Sequence, residues 1–215
     1  MHRIDPQELF QAQAALFVAI ALQALVWKIN GALLVGPQYL ILAVELLLAV
    51  LISFTVNIQR AHRRGVHHAL VIGLLGLLTA ANVTSLVLVL QTLVVGHAAI
   101  TGSELLGGAI AIFMTNIIVF SLWYWEIDSP GLTRKRWSKH DKDFHFTQQE
   151  LKADFPTWKP IFLDYLYVSV TNAINFAPSD ARPLTYTAKI LMGSQALVSV
   201  FTLALVIARS VSILG

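Results

Sequence analysis

Apolar residues gather into long runs separated by short polar interruptions. Five runs reach the ~20 residues needed to cross a hydrocarbon core of ~30 Å. They are residues 9–28, 38–58, 69–95, 105–125 and 188–214. Residues 69–103 contain no Asp, Glu, Lys or Arg, which makes the third run the clearest span. Residues 31–37 and 96–103 are short, glycine-marked connections of the kind that join antiparallel neighbours in a bundle. Trp123, Tyr124 and Trp125 close the fourth run, and aromatic side chains favour the headgroup level, so a membrane boundary is expected there. His2 and Arg3 precede the first run as in a signal peptide, but no small-residue cleavage pattern follows, so a retained helix is expected.

The pattern breaks after the fourth run. Residues 126–160 hold thirteen Asp, Glu, Lys and Arg together with Pro130, Pro156 and Pro160, which predicts an aqueous loop of about 35 residues. Residues 161–176 are apolar but short, and they carry Asp164, Asn172 and Asn175. Polar groups at membrane depth must be enclosed by protein or by a water-filled cavity. The segment is therefore expected to be a re-entrant half-helix with an enclosed turn at residues 177–183. The expected fold is all-α: a polytopic integral membrane protein of about five transmembrane helices plus the half-helix. Residues 1–125 would form a four-helix membrane region, 126–160 the loop, and 161–215 the half-helix, turn and final helix.

Composition agrees with this pattern. The 215 residues are 56% hydrophobic and 13% charged, with a mean hydropathy of +0.68. Soluble domains carry about 25% charge, so a soluble enzyme, a nucleic-acid reader and a disordered chain are all excluded. The net charge of +3 reflects loop placement rather than an acidic partner. Without cysteine the chain has no disulfide, thiolate metal site or lipidated thiol.

Residues 167–185 read Y-V-S-V-T-N-A-I-N-F-A-P-S-D-A-R-P-L-T. Without a gap this resembles the pore region of small bacterial potassium channels, whose pattern is roughly S-V-x-T-x-T-T-V-G-Y-G-D-x-x-P-x-T. Ser169, Val170, Asp180, Pro183 and Thr185 fall on matching positions, and A-K-I-L-M-G-S-Q-A-L-V-S from Ala188 is similar to the start of the family's inner helix. The resemblance covers about 50 residues and implies an oligomer, a tetramer, with the pore constriction at Asn175, Phe176, Ala177, Pro178, Ser179 and Asp180. Asp164, Ser169, Thr171, Asn172, Pro183 and Thr185 would form the pore helix and its support. The family's filter exposes backbone carbonyls of T-V-G-Y-G to the ion. Here both glycines are replaced and Pro178 fixes φ near −65°, so a potassium-type filter is not expected. The whole chain also resembles a group of small, mostly actinobacterial polytopic membrane proteins through residues 115–126, 162–167 and the final helix, a likeness that brings no activity with it.

Other residues invite functional readings of their own. A ring of Asn175, Ser179 and Asp180 would favour cations; the alternative is a turn in which Asp180 caps the final helix. Glu45 lies inside the second run, where a carboxyl is a functional candidate by default, relaying protons or lining a vestibule; the structural alternative is a carboxyl that stays protonated or pairs with a cation such as Arg209. Asn82, Gln91, Asn116 and Gln195 are polar positions within runs, expected to form interhelical hydrogen bonds. His140, Asp141, Asp143 and His145 have metal-like spacing, but the intervening Lys142 favours a solvated loop and no metal is expected. No catalytic triad, phosphate-binding loop or metalloprotease motif is present, and neither enzyme activity nor a cofactor is expected.

Arg60, Arg63 and Arg64, with His62, His67 and His68, put the connection between runs two and three on the cytoplasmic side. Threading onward brings the 126–160 loop to that side too, opposite to an ordinary potassium channel; either residues 161–176 span and give six helices, or the loop escapes the rule because its acidic residues nearly balance its basic ones. The expected function is an oligomeric, pore-loop, cation-channel-like protein of a bacterial inner membrane. Its partners would be the lipid bilayer, sister copies and small cations, and not nucleic acid. The alternatives are a non-conducting membrane scaffold or partner-binding subunit, and a small proton-coupled carrier using Glu45.

Overall fold

A computed structural model describes residues 6–29, 38–55, 64–95, 101–128, 142–151, 153–176 and 180–214. Helices dominate: α1 Pro6–Ile29, α2 Gln38–Thr55, α3 Arg64–Val95, α4 Gly102–Asp128, a short α5 Thr147–Glu150, α6 Phe162–Asn175 and α7 Tyr186–Leu214. Two three-residue strands, β1 Phe144–Phe146 and β2 Ala181–Pro183, complete the described elements. Among the described residues four helices are long and apolar enough to cross a membrane: α1, residues His68–Thr92 of α3, α4, and Tyr186–Ala208 of α7. The apolar stretch Leu40–Ser53 of α2 is shorter. Residues flanking the runs join their helices, so α3, α4 and α7 begin at Arg64, Gly102 and Tyr186, ahead of runs that start at 69, 105 and 188.

Side-chain bonds set the helix directions. Trp125 Nε1 donates to Glu8 Oε1 at 2.8 Å, which puts the start of α1 beside the end of α4. His68 Nδ1 stands 3.4 Å from Glu126 Oε1, so α3 begins at the same end. Deeper in, Gln23 Nε2 donates to the Leu78 carbonyl and Trp27 Nε1 to Ser85 Oγ, so α1 and α3 run parallel. Asn116 of α4 donates to Ser199 Oγ of α7 at 2.9 Å. α4 is the central helix, buried over most of its length, whereas most of α7 faces outward.

α6 starts at this common end. Its first free amides are capped by carboxylates: Ile161 N donates to Asp164 Oδ2 at 2.7 Å and Phe162 N to Glu8 Oε1 at 3.1 Å. Two acidic groups there also complement the positive end of the helix dipole. Ser169 then reaches the carbonyl of Ile117, eleven residues before Asp128, or about 16 Å along α4 at 1.5 Å per residue. The helix ends at Phe176, whose φ of 55° is left-handed. A phenylalanine there bears a cost on the order of 1 kcal/mol that a glycine would not. Beyond residues 177–179 the chain is back at the starting end, where β2 pairs antiparallel with β1: Phe144 opposite Pro183, His145 opposite Arg182, Phe146 opposite Ala181.

The segment expected as a solvated loop is thus partly core. Phe144 and Phe146 are buried; Phe144 packs on Tyr124 with ring centroids 5.2 Å apart, and Phe146 meets Tyr165 edge-on at 5.4 Å. Period-two burial, with His145 half-buried between two buried phenylalanines, is the reason these residues extend. Tyr124 and Trp125 are likewise corrected: both are fully buried rather than turned to headgroups, because Gln195 and Glu8 supply partners for their polar atoms inside the protein.

Asp128 anchors the loop by accepting from Asp143 N at 2.8 Å, Phe144 N at 3.0 Å and Tyr165 Oη at 2.6 Å. Replacing Asp128 with Ala strands three donors, and the expected loss is about 2–4 kcal/mol of stability, read from denaturant unfolding in micelles. A loss below about 0.5 kcal/mol would show that this anchor is dispensable.

Candidate functional site

The functional candidates of residues 161–185 divide between an engaged inner face and an outward tip. Tyr165, Val168, Ser169 and Asn172 recur every three to four residues, so they share the face of α6 that is buried. Leu163, Tyr167 and Ile174 face outward. Polar groups inside and apolar groups outside is the arrangement that suits an apolar surrounding.

At the centre of the inner face stands Gln195 of α7, which is 0% exposed. Its Oε1 accepts from Tyr124 Oη and, at 2.8 Å, from Asn172 Nδ2. Its Nε2 donates to Ser169 Oγ at 2.7 Å and to the Ser169 carbonyl at 3.0 Å. Asn172 Nδ2 also donates to the Met192 carbonyl at 3.0 Å, and Ser169 Oγ to the Ile117 carbonyl at 2.6 Å. One amide therefore joins α4, α6 and α7. Asn116 continues the network to Ser199, its Nδ2 donating, while its Oδ1 is buried without a partner among the described residues.

The other residues of the pore-like stretch have separate roles. Asp164 caps its own helix, and its carboxyl is held above the ordinary range by burial and then by the nearby charge of Asp180. Thr171 bonds back to carbonyls of its own helix. Thr185 donates to the Asp143 carboxylate and accepts from Ala188 N at 3.2 Å, so Thr185 caps α7. Asp180 does not cap that helix: it lies before β2, its carbonyl accepts from Thr147 N at 3.0 Å, and its side chain is half-buried. Pro183 belongs to β2. Asn175 and Phe176 are exposed at the end of α6, and Ala177, Pro178 and Ser179 lie outside the described residues.

Elsewhere, Glu45 is buried and the Arg209 side chain lies outside the described residues. Asn82 is buried and Gln91 exposed. His140 and Asp141 lie outside the described residues; Asp143 serves Thr185, and His145 Nε2 stands 3.3 Å from Glu150 Oε1 on the surface. Glu8 and Asp128, which place α6 and the strand pair, were not singled out by the pattern of the chain, since a carboxyl at the end of an apolar run is ordinary. Comparisons with protein-family models, with curated proteins and with solved structures find no match to this chain.

Gln195→Leu removes the hub and takes a hydrogen-bond partner from Tyr124 of α4 and from Ser169 and Asn172 of α6. The expected cost is about 2 kcal/mol in thermal or denaturant unfolding, while Gln91→Leu at an exposed site changes stability by less than about 0.5 kcal/mol. Equal effects of the two substitutions would contradict the network's structural weight.

Proposed function

We propose that the chain is a subunit of an oligomeric, pore-loop, channel-like membrane protein that passes small cations without a potassium-type filter. In this reading α6 dips into the bilayer and returns, α2 completes a fifth crossing, and four copies surround an axis lined by α7. The observation that carries it is the order α4, half-helix α6, return strand β2, α7, with β2 paired to the strand that precedes α6. A helix that penetrates only part of the way and hands the chain back to its starting end is the local geometry a pore loop requires.

The tip supplies the chemistry. Asn175 is exposed and Asp180 half-buried, while Ser169, Thr171 and Asn172 are committed to bonds within the protomer. A single tip cannot enclose a path, but a ring of amide and carboxylate groups from several copies favours cations over anions. A ladder of extended carbonyls is not part of this proposal, since Asn175 is helical and Phe176 left-handed. α7 offers a continuous outward face, from Tyr186 through Ile190, Leu197 and Phe201, for lipid or for sister helices.

A second reading, a non-conducting scaffold subunit, is favoured by one observation: the polar face of α6 is consumed inside the protomer. Reconstitution separates the two. Protein in liposomes is expected to be tetrameric and to release a cation gradient, with flux reduced several-fold by Asp180→Asn. A tetramer without flux supports the scaffold, and a monomer without flux overturns both.

A further inference from the structure

Glu45 stands on the inward face of α2 with Ala49 and Ile52, while Val44, Leu47 and Leu51 face outward. The side chain is 0% exposed, and neither carboxyl oxygen has a hydrogen-bond partner among the described residues. The helices packed against α2 are α1 and α3. Glu8 and Lys28, at the two ends of α1, are the ionisable side chains of that helix. α3 carries none after His68, whose ring is turned to Glu126. α2 itself adds Tyr39, in its first turn. Arg64 and His67 stand in the first turn of α3, and among the described residues no counter-charge is paired with Glu45.

Gln23, on the inward face of α1, adds a second observation. Its Nε2 donates to the Leu78 carbonyl, and its Oε1 is buried with no donor among the described residues. On α1 and on α2 alike, a buried side chain thus presents acceptors that meet no donor among the described residues. An ionised carboxylate adds acceptors and a charge, both unfavourable there, whereas a carboxylic acid brings its own donor.

We infer that Glu45 is a proton-binding site, a carboxylic acid carried neutral within the α1–α2–α3 interior. A metal ion would need several more oxygen ligands, and no second carboxylate stands at that level on α1 or α3. The site is separate from the α6–α7 region and stands whether or not the chain conducts.

Dicyclohexylcarbodiimide, an apolar reagent, tests this on the full chain in detergent micelles. The acid proton moves to a carbodiimide nitrogen, the carboxyl oxygen bonds the central carbon, and the adduct rearranges to a stable N-acylurea; a carboxylate does not react. Mass mapping of peptides is expected to place an adduct on Glu45 near neutral pH, diminishing as pH rises and absent in Glu45→Gln. Because the adduct is mapped on the native chain, the profile stands even where Glu45→Gln fails to fold. Arg209→Gln is expected to leave labelling unchanged. Absence of a Glu45 adduct from about pH 5 to about pH 8 overturns the inference. So does an adduct that forms only in Arg209→Gln, which would assign an ion pair, or protection by sodium at fixed pH, which would assign a cation site.

Discussion

A buried amide has to place four hydrogen-bonding valences with no water to help, and in this protein that constraint is met at Gln195. Its oxygen accepts from Tyr124 and Asn172 and its nitrogen donates twice to Ser169, so a single side chain fixes α4, α6 and α7 together. Each bond in an apolar surrounding contributes on the order of 1 kcal/mol. Their larger effect is on specificity, because any slip of α6 along α4 would strand several buried groups at once. α6 is too short to be held by burial of a long apolar face, and this network with the carboxylate caps at its start takes that role.

The same constraint shapes the return of the chain. Free amides at the start of α6 go to Asp164 and Glu8, and those of the loop go to Asp128. Thr185 then caps α7 while bonded to Asp143, next to the residues that Asp128 holds. Carboxylates at the ends of α1 and α4 therefore organise residues far away in sequence. The strand pair closes the arrangement by bringing the residues before α6 against those after its turn.

How much of this could be read from the chain varies with the range of the interaction. Long apolar runs are dictated by the thickness of the hydrocarbon core, so α1, α3, α4 and α7 were legible, with ends displaced where polar residues continue a helix. The shortness of the apolar stretch 161–176 foretold the short helix α6, Phe162–Asn175. Asn116 and Gln195 stood out as interhelical bonds because polar groups inside apolar runs have few other outlets. The strand pair was not legible: three residues carry too little periodicity, and the partner strand contains a proline 39 positions after Phe144. Tyr124 and Trp125 looked like headgroup anchors because nothing local in the sequence reveals that Glu8 and Gln195 await them. Asp180 looked like a cap for α7 until the fold set β2 between them.

In the proposed pore-loop arrangement α6 enters and leaves the bilayer on one side. The chain contains no cysteine, so single substitutions Lys159→Cys and Arg182→Cys, at exposed positions before and after α6, report on sidedness without background. Labelling in sealed, uniformly oriented vesicles with a membrane-impermeant maleimide is the direct measurement. The account predicts that both cysteines react from the same face. Reaction of one from outside and the other only after permeabilisation would mean that α6 spans the membrane, contradicting the pore-loop architecture.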